Sequence, residues 1–181
     1  IMYDAIGKCK LEWANSLRKR EDGEQQELFN EEKPFNDLAF ISRHSLITTD
    51  QGVRGFLHIV NDMVYKLTNE FNIRNIRWSI ENEIKGDRID SFDIDKTIKD
   101  LKKSSLNKLL IQICDELVKF DWRTSSEPHL SSDERKNQMV FKGSSGYKEL
   151  RSQLLKLLME SSEKVIKKTA KDIYNELGYA S

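Results

Sequence analysis

Apolar residues recur at helical spacing along most of this chain, and most regularly over Thr48 to Arg74, TTDQGVRGFLHIVNDMVYKLTNEFNIR. Val53, Phe56, Leu57, Val60, Met63, Val64, Leu67 and Phe71 recur three and four positions apart, which gathers them on one side of an α-helix. Arg54, Asn61, Asp62, Lys66, Asn69 and Glu70 fall on the other side. Thr48, Thr49 or Asp50 can accept a free backbone N–H of the first turn, and the Asp50 carboxylate suits the positive end of the helix dipole. The pattern predicts a central helix over about residues 50–73. The fold expected around it is mainly α, an irregular multi-helix bundle with at most a short extended segment near 139–142.

The remaining elements follow the same reading. Met2, Ile6, Cys9, Trp13 and Leu17 predict a helix over Met2 to Lys19, interrupted by Gly7. Glu21 to Glu32 holds six acidic residues and no basic one, and reads as a solvated loop or frayed end. Phe35 to Ile47 is apolar enough for burial, as a short helix or an extended lead-in. Over 73–84 periodicity leaves helix and strand open, with helix preferred, ending before Gly86 and Asp87.

Ile94, Ile98 and Leu101 start a further helix, and Leu106, Leu109, Leu110, Ile113, Leu117 and Phe120 continue it slightly out of phase. A break at Lys102 to Ser105, with Ser104 or Ser105 as a cap, reconciles the two stripes. Trp122 to Gln138 is polar and aperiodic and contains Pro128, which predicts a long mobile loop over 122–138. Met139 to Phe141 reads as the brief extended segment. Beyond Gly146, Tyr147, Leu150, Leu154, Leu157 and Leu158 and then Val165, Ile166, Ile173 and Leu177 predict two helices divided near Ser161 and Ser162, with Gly178 just past the end.

Composition narrows this little. The chain has 181 residues, 38% of them hydrophobic, enough for one domain with a core. Lys plus Arg and Asp plus Glu both number 30, so no net charge draws the chain to nucleic acid or membrane, and such binding has to be local. Two cysteines without metal-type spacing and no spanning apolar run suit a cytoplasmic protein with no membrane contact. The opening at Ile1, already in a helical pattern, suggests a piece of a longer protein.

Three features suggest binding. Gly52, Arg54 and Gly55 sit at a helix start, where free N–H groups and a cation suit an anion; close packing of a neighbouring helix on the glycines is the favoured reading. Lys142, Gly143, Ser144, Ser145, Gly146 and Lys148 contain the G-x-x-G form of the KH clamp, although an ordinary turn into a helix accounts for it more simply. Lys164, Lys167, Lys168 and Lys171 share one helical face and suit a phosphate backbone, or merely a wet face. His44, His58 and His129 are scattered without metal or triad spacing, and Cys9 and Cys114 fall in apolar stripes. No catalytic residue, metal site or cofactor is indicated.

Two strings, SLITTDQGVRGFLHIVND (Ser45 to Asp62) and FKGSSGYKELRSQLLKLL (Phe141 to Leu158), with FDWR at Phe120 to Arg123, resemble the helical region downstream of the core in DGQHR-domain proteins. Those proteins are related to the ParB and DndB group. The likeness covers about half of the chain. The string Asp-Gly-Gln-His-Arg does not occur, Asp50 to Arg54 reading differently, so no family residue carries over. The resemblance implies a bacterial protein in DNA modification or phage defence. The function expected is therefore a noncatalytic helical interaction domain that packs on a neighbouring domain or protein partner and assists DNA binding. The alternatives are direct nucleic-acid binding by the lysine row, and an enzyme whose site assembles from sequence-distant residues.

Overall fold

The computed structural model describes residues 1–19, 37–70 and 98–179. Among them the chain is mainly helical, with no strand. The expected first helix is two, α1 (Met2–Lys8) and α2 (Glu12–Arg18), because the backbone turns extended at Cys9. Arg18 explains how the break is tolerated: its guanidinium donates to the carbonyls of Ile6 and Cys9, both at 2.7 Å, and pairs with Asp37 at 2.9 Å. The last carbonyls of α1 thus find donors on the folded-back α2.

Asp37 caps the short α3 (Leu38–Ile41), and a 3-10 turn at Leu46–Thr48 leads into α4 (Asp50–Lys66). Of the three candidate caps for α4, Thr49 is used, accepting from the Gly52 N–H at 3.1 Å. The helix stops seven residues before the expected 73. The Thr68 hydroxyl donates to the carbonyls of Val64 and Tyr65, a side-chain bond that competes with continuing the helix. Phe71 and the 73–84 stretch lie outside the described residues.

The helix is also rotated from the expected face. Gly52, Gly55, Ile59, Met63 and Leu67 are buried, whereas Val53 and Leu57 are 43% and 56% exposed. The glycines decide this. A Cβ on Gly52 would overlap the carbonyl of Leu46, and one on Gly55 would stand 2.8 Å from Leu150 Cδ2. Asp62, expected on the wet face, pairs instead with Arg151 across the helix contact.

Residues 98–103 are helical, and the break at Ser104 occurs where the phase shift placed it. The Ser104 hydroxyl caps α5 (Ser105–Leu117), whose Leu106, Leu109, Ile113 and Leu117 are buried as expected. The polar stretch 122–138 is not a structureless loop. It is fastened to the body by Leu46 N–H to Trp122 O (2.6 Å) and Thr124 N–H to His44 O (2.7 Å), and it contains α6 (Ser132–Met139). Ser131 and Glu134 form a capping box at the start of α6, a readable S-x-x-E signal. Met139 to Phe141 is correspondingly the end of this helix and a turn, with Val140 at φ −64, ψ −20, rather than extended.

α7 (Gly146–Met159) and α8 (Lys164–Glu176) complete the bundle, divided at Ser161 and Ser162 as expected, with Gly178 at φ +70 past the last cap. α7 lies against α4, α5 and α8. Its Leu150, Leu154, Leu155 and Leu158 are fully buried, each contributing about 1.5–3 kcal/mol. No helix of the described residues is long and apolar enough to cross a membrane.

Candidate nucleic-acid interface

Because α4 and α7 pack closely, two candidate segments about ninety positions apart meet at their N-terminal ends. Gln51 Nε2 donates to the Gly143 carbonyl at 3.1 Å. Arg54 Cζ lies 4.4 Å from the centroid of the Tyr147 ring, and His58, one turn further along α4, stacks on the same ring at 5.6 Å and 21°. Lys142 and Lys148 are exposed on either side of the turn that delivers Tyr147. The ring therefore fixes the guanidinium at the surface through a cation–π contact of about 0.5–1 kcal/mol. The ion pair from Arg54 to Asp50, 3.4 Å with both partners half exposed or more, leaves the Arg54 charge available to solvent.

The glycines take no part in an open anion cradle. Gly52 and Gly55 are the surfaces against which Leu46 and Leu150 pack. Gly143 adopts φ +82, a left-handed conformation that suits glycine, and Gly146 lies so close to the Phe141 carbonyl that a Cβ would overlap it. Ser144 and Ser145 between them are exposed. Gly146 N–H donates to Gly143 O and Lys148 N–H to Ser145 O, a tight turn into α7. A KH clamp sits on a fold with a sheet, which the described residues lack.

On α8, Ile166, Thr169, Ala170 and Ile173 face the core, which turns Lys164, Lys167, Lys168 and Lys171 outward. None of the four makes an ion pair among the described residues. α8 packs on both helices that carry the Arg54 and Tyr147 contact. At its C-terminal end Glu176 binds Lys66 at 2.5 Å, and this hydrogen bond raises the Lys66 pKa above its ordinary value.

Burial pushes the Cys114 thiol up to about 12, far from the thiolate a nucleophile needs, and Cys9 is also buried. The described residues contain no cluster of metal-ligating side chains. Sequence reasoning missed Tyr147 as the platform for Arg54 and His58, since nothing along the chain places residue 147 beside residue 54. It also missed the buried Arg123, which donates to Asp121 (2.6 Å) and Glu134 (2.9 Å); Asp121, whose hydrogen bond is the larger effect, and Glu134 together hold its pKa above the ordinary arginine value. Comparison of the chain with protein-family models, curated proteins and solved structures finds no match.

Proposed function

We propose that this chain is a noncatalytic helical interaction domain that assists DNA binding, contacting the phosphate backbone through Arg54, Lys142 and Lys148, with the lysine row of α8 as a second set of contacts. The observation that carries the reading is the meeting of Arg54 and the Lys142 to Lys148 turn on the Tyr147 ring. A surface-fixed guanidinium flanked by free ammonium groups is the arrangement that displaces counterions from a phosphate backbone. The likeness to DGQHR-domain proteins supports a bacterial, cytoplasmic DNA-modification or defence setting. Since the chain is neutral overall, this binding is local and falls away steeply with salt.

The test is duplex DNA binding across a salt series. If four to six phosphates are contacted, the slope of log affinity against log salt is roughly −4 to −5, and Arg54→Ala with Lys148→Ala together reduces its size by about 2. Absence of salt-dependent binding even at low ionic strength removes the reading.

A second observation supports the expected packing on a neighbouring domain or protein partner. Val53 and Leu57 are exposed, and the half-buried Val60 and Val64 extend them as one apolar strip along α4. In a longer form of the protein, Leu57→Asp weakens association between this domain and its neighbour while leaving DNA affinity in place. Unchanged association discards that part.

A further inference from the structure

Arg54, His58 and Asp62 stand one turn apart on α4, and Tyr147 and Arg151 stand one turn apart on α7, which packs along it. Nearer the N-terminal ends, the Tyr147 ring carries the His58 imidazole, 21° from parallel at 5.6 Å, and the Arg54 Cζ at 4.4 Å. One turn further along, Asp62 pairs with Arg151, both side chains more than four-fifths buried, so the Asp62 charge is compensated. The hydrogen bond from Gln51 to the Gly143 carbonyl ties the turn before α7 to α4. The stack is thus fixed from both sides.

A guanidinium is flat, always charged and weakly hydrated, so an aromatic ring gains by lying on it. In Arg54 the inner side is turned to Tyr147, and the Asp50 carboxylate meets one edge nitrogen, Nη1, at 3.4 Å. Half of the side chain is still exposed, which leaves the side turned away from the ring open to solvent. Tyr147 has also removed rotamer freedom that a ligand would otherwise have to remove on binding. Lys142 and Lys148 are exposed on either side of the turn that delivers Tyr147. The ligand that matches has a flat π face for Arg54 and negative charges beside it. A nucleotide strand alternates the two. In a duplex each base is covered by its stacked neighbours, so the base that reaches Arg54 has to be unpaired.

We propose that this stack holds a base of an unpaired DNA strand, the base lying on the outer side of the Arg54 guanidinium and the adjoining phosphates on Lys142 and Lys148. The inference rests on the DNA reading above and deepens it, since stacking on a preset arginine adds a contact that phosphates alone do not make. Every base has a π face, so the site accepts any sequence.

The experiment is fluorescence anisotropy of the whole chain at low salt with two fluorescein-labelled hexamers of equal charge, one of thymidine nucleotides and one of abasic tetrahydrofuran nucleotides. The thymidine hexamer is expected to bind about tenfold more tightly, the scale of one stacked base. Arg54→Lys keeps the charge and loses the plane, so it brings thymidine binding down to the abasic level and leaves abasic binding and its salt slope unchanged. Lys148→Ala weakens both hexamers to the same degree, and no loss with either overturns the placement of the phosphates. Equal affinity of the parent chain for the two hexamers overturns the stacked base, while salt-dependent binding of both leaves the phosphate reading standing. An undiminished thymidine preference in Arg54→Lys overturns the assignment to Arg54. No binding of either hexamer at low salt overturns this inference and the DNA reading together.

Discussion

α4 and the stretch from Asp121 to Met139 are fixed in place by opposite means. α4 has a regular apolar pattern and is held by shape, with two glycines seated against Leu46 and Leu150. The stretch 121–139 has no apolar period and is held by buried polar groups around two apolar residues, Trp122 and Leu130. Trp122 is fully buried and donates from Nε1 to Leu117 O at 2.9 Å. Arg123 ties Asp121 to Glu134, the buried Glu127 accepts from the Ser16 hydroxyl at 2.8 Å, and Arg135 donates to the carbonyls of Ser125 and Glu127. Apolar periodicity thus reports secondary structure. It does not report how firmly a segment is fixed.

The largest expected effect tests the polar stretch. Trp122→Ala should lower unfolding free energy in urea by about 4 kcal/mol, the range for deleting a buried Trp. A loss near zero would mean the stretch is the loose loop its composition suggests. On α4 the comparison sharpens to one substitution at two sites. Gly52→Ala meets the Leu46 backbone and should cost about 3 kcal/mol, whereas the atoms nearest to Gly55→Ala belong to the Leu150 side chain, Cδ2 at 2.8 Å and Cγ at 3.0 Å, which yields more readily than backbone. The gain in helix propensity, about 1 kcal/mol, offsets most of the second. Equal losses at the two glycines would show that their packing does not set the rotation of α4.

Arg123→Ala should cost about 2 kcal/mol, less than the roughly 3–5 for a fully buried pair because Asp121 and Glu134 reach solvent. Adding Asp121→Asn and Glu134→Gln should recover part of that loss, and no recovery would assign the cost to packing instead of charge. Ser131→Ala, which removes the cap of α6, should cost about 1 kcal/mol in the same assay.

The smallest effect is one of pH. Hydrogen bonds from Ser131, and after them the Arg123 guanidinium, hold the Glu134 carboxyl at about 2, against an ordinary value of 4.5. Its contribution to stability is present above the ordinary value and disappears as pH falls from about 4.5 through about 2. Melting temperatures of Glu134→Gln should therefore show a flatter pH dependence in that window, and identical slopes would contradict the carboxylate's role.

Much of the fold was legible along the chain. The breaks at Ser104 and at Ser161 with Ser162, the burial of Leu106, Leu109 and Ile113, and Gly178 beyond the last helix all follow from local pattern. α6 was legible too, in Ser131 and Glu134, but a capping signal without an apolar stripe behind it is easily passed over. The candidate interface was legible in part. The outward face of Lys164, Lys167, Lys168 and Lys171 follows from helical spacing, while the seating of Arg54 on Tyr147 depends on the contact of α4 with α7.

By itself the sequence determined most of the helix breaks, at Ser104, at Ser161 with Ser162 and at Gly178, and the wet face of the last helix, since spacing, caps and breakers act within a few residues. Tertiary packing decided which side of α4 turns inward, because the absence of a side chain at Gly52 and Gly55 matters only when Leu46 and Leu150 arrive to use the space. It likewise decided that Trp122 to Gln138 is folded, since Glu127 becomes a holding residue only once Ser16 reaches it, and the backbone at Trp122 and Thr124 is tied down only once Leu46 and His44 lie beside it.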